Sequence, residues 1–155
     1  MQLWIAEKPS VAKAICAELG IVKKGAGFNE CKGGNTVTWC FGHLLEQAGP
    51  DAYTPDDVPV TKKGGKIWRM QDLPIFPSVW KLNVKPDRGV KTQLRTIKTL
   101  LTKADSIVNC GDPDREGQLL VDEILEFYKC RKPVSRFWVS AQDPASIKKG
   151  LKSLK

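Results

Sequence analysis

Gly111-Asp112-Pro113-Asp114-Arg115-Glu116-Gly117 sets three carboxylates at alternate positions between two glycines. The apolar run Ser106-Ile107-Val108-Asn109-Cys110 precedes it and reads as a buried strand. Residues 116–128 then repeat apolar side chains at helical spacing, with Leu120, Ile124 and Phe127 expected to face inward. In open α/β sheets, ligands collect at such carboxyl ends of strands. Carboxylates at i, i+2 and i+4 repel one another unless a cation neutralises them. With no His or Cys within the stretch itself, hard oxygen donors favour Mg²⁺, which takes few protein carboxylates and keeps several waters. Gly111 and Gly117 let backbone approach such a site closely. The same acids would also suit a helix N-terminus, where Asp is favoured without any metal. The spacing does not match an EF-hand loop.

A second junction of this kind opens the chain. Leu3-Trp4-Ile5-Ala6 reads as a short buried strand, and Pro9-Ser10 starts a helix carrying Val11, Ile15 and Leu19 and stopping at Gly20. Between them lies Glu7-Lys8. Glu7 is a candidate general acid or base, and Lys8, beside a helix N-terminus, a candidate phosphate ligand. A solvated surface pair is the plainer account of the same two residues. If the two strands are parallel neighbours, Glu7 meets the Asp112 group at one edge of the sheet.

The intervening pattern continues the alternation. Residues 28–31 and 36–41 read as two strands around Lys32-Gly33-Gly34-Asn35, a hairpin signal. Residues 49–89 hold Pro50, Pro55, Pro59, Pro74, Pro77 and Pro86 with Gly64-Gly65, and read as a long irregular excursion. Val90, Leu94, Ile97 and Leu101 form an apolar helical stripe. Residues 134–139 read as a strand, and 144–154 as a basic amphipathic helix. The predicted class is α/β, a mainly parallel central sheet with helices on both faces. His43, the only histidine, is a candidate phosphate contact or a hydrogen-bonded structural residue. Trp39, Trp68, Trp80 and Trp138 are candidates for base stacking, although aromatics in strand-like runs more often pack a core. Lys62-Lys63-Gly64-Gly65-Lys66 is a basic loop without the order of a Walker A cradle.

Composition narrows the class. The chain has 155 residues, 25 Lys+Arg against 17 Asp+Glu, and a net charge of +8. That length suits a single domain spanning residues 1–155. A 41% hydrophobic and 27% charged composition excludes global disorder. No apolar run approaches the roughly 20 residues of a membrane span, and no signal peptide is expected. Cys16, Cys31, Cys40, Cys110 and Cys130 form no C-x-x-C pair, which points to reduced thiols in a cytoplasmic protein without zinc. Seven of the 17 acids fall between Asp105 and Glu126. An acidic focus on a basic body suits a polyanion such as DNA held around a metal, and equally a solvated acidic helix face.

Three stretches together resemble a Toprim domain, the metal-binding module of topoisomerases, primases and some nucleases: 5–10 (Ile5-Ala6-Glu7-Lys8-Pro9-Ser10), 38–46 (Thr38-Trp39-Cys40-Phe41-Gly42-His43-Leu44-Leu45-Glu46) and 111–118. The resemblance is narrowest to the type IA topoisomerases, and Gln118 favours their topoisomerase III branch. It implies a Toprim (Rossmann-like) fold and an isomerase that cleaves, passes and reseals single DNA strands without ATP. By the same resemblance, Glu7 handles the proton on the leaving oxygen and Lys8 binds the scissile phosphate. Asp112, Asp114 and Glu116 hold Mg²⁺, while His43, Lys8 and Arg115 contact DNA, mainly single-stranded. The family's nucleophilic tyrosine lies in a later domain, and neither Tyr53 nor Tyr128 matches its motif. The chain is therefore expected to be an N-terminal fragment, inactive alone and completed by the remaining topoisomerase domains. A stand-alone Toprim nuclease and a non-enzymatic DNA-binding scaffold stay open as alternatives.

Overall fold

The computed structural model describes all 155 residues. In chain order the elements are β1 (Gln2–Ala6), α1 (Pro9–Leu19), β2 (Ile21–Gly25), β3 (Phe28–Cys31), β4 (Asn35–Trp39), β5 (Leu45–Gln47), β6 (Leu82–Val84), α2 (Arg88–Lys103), β7 (Ser106–Cys110), α3 (Arg115–Phe127), β8 (Val134–Arg136) and α4 (Pro144–Leu151). Six strands form one sheet in the order β2-β3-β4-β1-β7-β8. Its β4-β1-β7-β8 portion is parallel, and β2 and β3 add an antiparallel edge.

Strand alternation assigns the two faces. Trp4 is in register with Val37 on one side and Val108 on the other. These side chains join Val11, Ala12, Ile15 and Cys16 of α1 and Ile147 of α4 in one buried cluster. One residue on, Ile5 aligns with Thr38 and Asn109, so these three point to the opposite face. There Gln93 of α2 donates to Thr38 Oγ1 at 3.0 Å, and Asn109 donates to Asp122 of α3 at 3.2 Å. Helices therefore cover both faces, as the sequence pattern requires. Each fully buried Ile, Leu or Val contributes about 1.5–3 kcal/mol of apolar burial. β1, buried at Leu3, Trp4, Ile5 and Ala6, is thus the central strand.

The differences from expectation lie at edges. β2 has no sequence signal, because Ile-Val-Lys-Lys-Gly buries nothing. It exists through antiparallel pairing with β3, and its lysines suit an exposed sheet edge. The strand expected over 134–139 pairs only to Arg136, and the helix expected to 154 ends at Leu151. Phe127 does not face inward. The buried set of α3 is Leu120, Val121, Ile124 and Leu125, and Phe127 lies beyond it, edge-on to the Tyr128 ring.

Residues Leu45–Asn83 form a compact unit of their own. Little apolar surface is buried in it, and polar side chains order it instead. The Arg69 guanidinium reaches Asp57 at 2.9 Å and Asp72 at 2.7 Å. Asp51 accepts from Lys66 N at 2.9 Å and Trp68 Nε1 at 2.6 Å, and these bonds hold its carboxyl below the usual range. No helix of the chain is long and apolar enough to cross a membrane.

Gln93 is buried, and its amide also donates to Gly27 O at 2.9 Å and Trp39 O at 2.7 Å. Gln93→Leu takes this donor from Trp39 O, whereas Gly27 O keeps the Thr38 hydroxyl at 2.8 Å, and one unsatisfied buried group costs about 1–3 kcal/mol. Urea denaturation should show a loss of that order, and an unchanged midpoint would refute it.

Candidate functional site

β1 and β7 end level, with Ala6 in register with Cys110. The chain leaves both strands at the same edge, so Glu7-Lys8 and Gly111-Asp112 emerge side by side. Lys8 Nζ donates to Asp112 Oδ2 at 2.9 Å and lies 3.8 Å from Glu7 Oε1. The Asp112 amide donates to Glu7 Oε2 at 3.0 Å. The hydrogen bond to Asp112 raises the Lys8 pKa above its ordinary value, against a smaller opposing effect of burial; the charges of Asp112, Glu7 and Asp114 add to the rise. An ammonium thus sits between carboxylates that would otherwise repel.

The loop after β7 is shaped by two glycines. A Cβ on Gly111 would lie 1.9 Å from Gly117 O, and one on Gly117 would lie 2.4 Å from the backbone N and O of Asp112. Only glycine at both positions lets the first turn of α3 rest on the loop. Asp114 caps α3 by accepting from Gly117 N at 2.7 Å. Asn109, fully buried, accepts from Gly111 N at 2.9 Å through Oδ1, while its amide donates to Asp122. Gln118 Nε2 donates to the same Asp122 at 2.7 Å.

The remaining candidates sit further out. Glu116 is exposed on the first turn of α3, and its Oε1 lies 3.8 Å from His43 Nε2. His43 Nδ1 is 3.0 Å from Glu123 Oε2, so the histidine stands between two acids of α3. Arg115 is exposed. The structure brings Glu7, Lys8 and Asp112 into direct contact and sets Asp114 beside them in the loop, whereas Glu116 and Arg115 reach none of the three. Tyr128 Oη donates to Leu94 O at 3.1 Å, and burial raises its pKa. Tyr53 Oη accepts from Lys81 N at 2.8 Å. Lys66 of the basic loop donates to Thr54 O and Pro55 O, a structural use. All five cysteines are free, and burial pushes the Cys31 and Cys40 thiols up to about 12, so these two offer no thiolate nucleophile.

No three His, Cys, Asp or Glu side chains gather into a protein-only metal cage. Mg²⁺ does not need one, since it binds through one or two carboxylates plus substrate phosphate and water. Protein donors engage only Oδ2 of Asp112 and Oδ1 of Asp114, so each carboxylate keeps an oxygen for a hard cation. The donor set fits Mg²⁺ in that manner and fits no thiolate or imidazole metal.

Arg136 carried no sequence signal beyond being a charged residue in a strand. Its Nη1 donates to Asn109 O at 3.0 Å and Gly111 O at 2.7 Å, and its Nη2 to Asp112 O at 2.6 Å. Burial lowers its pKa from the ordinary value.

Residues 2–142 match the family described as Toprim domain. The protein named DNA topoisomerase 3 of Haemophilus influenzae is 45% identical over 159 residues, covering 99% of this chain and 23% of that protein. Its namesake in Salmonella typhimurium is 44% identical, covering 100% of this chain and 23% of that protein. The Bacillus subtilis protein of the same name is 37% identical, with 97% and 20% covered. The chain thus spans about a quarter or less of the relatives it matches. Full-length topoisomerase I from Thermotoga maritima superposes with a TM-score of 0.53 at 20% identity, covering 98% of this chain and 20% of that one, a likeness of fold.

Gly117→Ala must displace the loop backbone at Asp112. Overpacking of this kind costs about 1–3 kcal/mol, and the loss should appear as a lower urea midpoint together with shifted Asp112 and Asp114 amide resonances. A variant with the parent's midpoint and spectrum would show that the close approach is not required.

Proposed function

This chain belongs to the Toprim family, and on that premise we propose that it supplies the metal-binding half of a type IA topoisomerase active site of the topoisomerase III kind. The observation that carries the reading is the convergence of Glu7, Lys8 and Asp112 where β1 and β7 end in register. Acid, ammonium and hard-cation donors within one hydrogen-bonded group are the parts that phosphoryl transfer to a hydroxyl requires.

In this reading a tyrosine from outside the chain releases its hydroxyl proton to solvent as its oxygen attacks a DNA phosphorus. The bond from phosphorus to the 3′-oxygen breaks, and a 5′-phosphotyrosine forms. Glu7 gives a proton to the departing 3′-oxygen and takes it back on resealing. The Lys8 ammonium meets the scissile phosphate at the N-terminus of α1, where backbone N–H groups also favour an anion. Asp112 and Asp114, with Glu116 at the rim, hold Mg²⁺, which when bound neutralises phosphate charge and fixes its position. His43 and Arg115 line the DNA path. Both tyrosines of this chain bond backbone groups, which supports a nucleophile from elsewhere. The partner is single-stranded DNA, and the basic body supplies the sequence-independent attraction.

The metal assignment predicts weak Mg²⁺ or Mn²⁺ binding by the chain alone, followed by titration with magnetic resonance detection. Asp112→Asn with Asp114→Asn should abolish it, and identical titrations of the double variant and parent would sink the assignment. The acid role predicts that Glu7→Gln, placed in a full-length protein carrying this domain, lowers strand cleavage by about 10²–10⁴-fold with Mn²⁺ affinity retained. Undiminished cleavage would remove Glu7 from the chemistry. DNA products with free 5′-phosphates and no protein adduct would replace the topoisomerase reading with a nuclease.

A further inference from the structure

We propose that Arg136 is a positioning residue: from the edge strand β8 its guanidinium clamps the backbone of the acidic loop and so presents Asp112 to Glu7, Lys8 and a divalent cation. The link to the cation rests on the proposed function, whereas the clamp stands on geometry alone.

The fork makes three bonds into the loop region, to the carbonyls of Asn109 at 3.0 Å, Gly111 at 2.7 Å and Asp112 at 2.6 Å, and one to Phe137 O at 3.1 Å. No carboxylate pairs with it, although Asp112, Asp114 and Asp122 lie near enough to act on its charge. Its Nε is buried without a partner, so the Nη groups alone set the orientation. The Trp138 ring lies 5.2 Å from the guanidinium carbon and covers one side of it. A half-buried arginine that spends its donors on a carbonyl near the end of β7 and on the first two carbonyls of the loop after it fixes peptide planes rather than balancing charge.

One of those planes carries the consequence. The carbonyl of Gly111 and the amide of Asp112 belong to the same trans peptide and point in opposite directions. Arg136 holds the carbonyl end at 2.7 Å, and Glu7 Oε2 holds the amide end at 3.0 Å. A cation at the oxygen polarises the amide and strengthens its bond to the carboxylate. The next peptide leads into Pro113, which has no N–H, so only its carbonyl can be tethered; Arg136 Nη2 and Asp114 N both take it. The conformation that brings Asp112 Oδ2 to Lys8 is therefore set from β8, the neighbour of β7, which belongs to neither junction.

Lysine keeps the charge of Arg136 but cannot reach three carbonyls as a planar fork. In an isotope-labelled chain, Arg136→Lys should speed hydrogen exchange of the Asp112 amide by about tenfold, the worth of one buried hydrogen bond. Its resonance should shift, while the amides of Leu3, Ile5 and Ile15 keep parent values. The Mn²⁺ dissociation constant should rise severalfold. A folded variant with parent exchange and parent shift at Asp112 overturns the clamp. The unsubstituted chain gives a second test that no folding defect can obscure: the two Nη nitrogens of Arg136 should give separate resonances, because their hydrogen bonds hinder rotation. A single averaged signal overturns the clamp as well. A parent chain that binds no Mn²⁺ overturns the proposed function instead, and the exchange and Nη readouts still decide the clamp.

Discussion

The parallel pairing of β1 with β7 joins two segments about a hundred residues apart and ends them level, Ala6 against Cys110. Everything at the candidate site follows from that register. Moving β7 by one residue would invert its faces, sending Asn109 into the apolar layer under α1 and Val108 toward Asp122. Burial forbids the slip, since Trp4, Val37 and Val108 fill one face and Ile5, Thr38 and Asn109 the other. The position of Glu7 beside Asp112 is thus fixed by core packing before any polar contact between them forms.

Electrostatics then has to be satisfied on that frame. Two unit charges at 4 Å oppose each other by about 4 kcal/mol at the dielectric of a protein surface, and seven acids are concentrated between Asp105 and Glu126. Distinct partners hold most of them apart. Lys8 takes Asp112 and stands near Glu7, His43 stands between Glu116 and Glu123, Asn109 and Gln118 share Asp122, and the α3 N-terminus takes Asp114. The acidic focus is therefore not a bare repulsive patch. It is a set of oriented carboxylates, two of which keep oxygens facing no protein donor.

The sheet, its junctions and the pairing of Glu7 with Asp112 were legible because they rest on buried apolar runs bounded by Gly and Pro. What escaped was whatever has no periodicity. β2 buries nothing, and its pairing with β3 alone makes it a strand. Phe127 fits the helical stripe by spacing, yet it sits at the last residue of α3, past the layer it was expected to join. Arg136 and Asn109 act through backbone groups distant in sequence, and a carbonyl leaves no mark in a sequence. The glycines 111 and 117 were read as permissive. The structure makes them obligatory, because each occupies the space where the other's neighbourhood begins.

Arg136 and Lys8 divide the work of two cations around one loop. Arg136 is half-buried, hydrogen-bonds only carbonyls and stays charged at any working pH, so it can hold shape without exchanging partners. Lys8 is a point charge on a flexible stem, its side chain 42% exposed, with one donor bonded to Asp112. An ammonium carries three donors, so Lys8 can meet an incoming phosphate without first abandoning the carboxylate. Exchanging the two residue types would defeat both tasks: lysine cannot span three carbonyls, and arginine's planar fork would bind a carboxylate bidentately and resist sharing it. Rigidity is placed behind the loop and adaptability in front of it, on the side where β1 and β7 leave the chain open to a ligand.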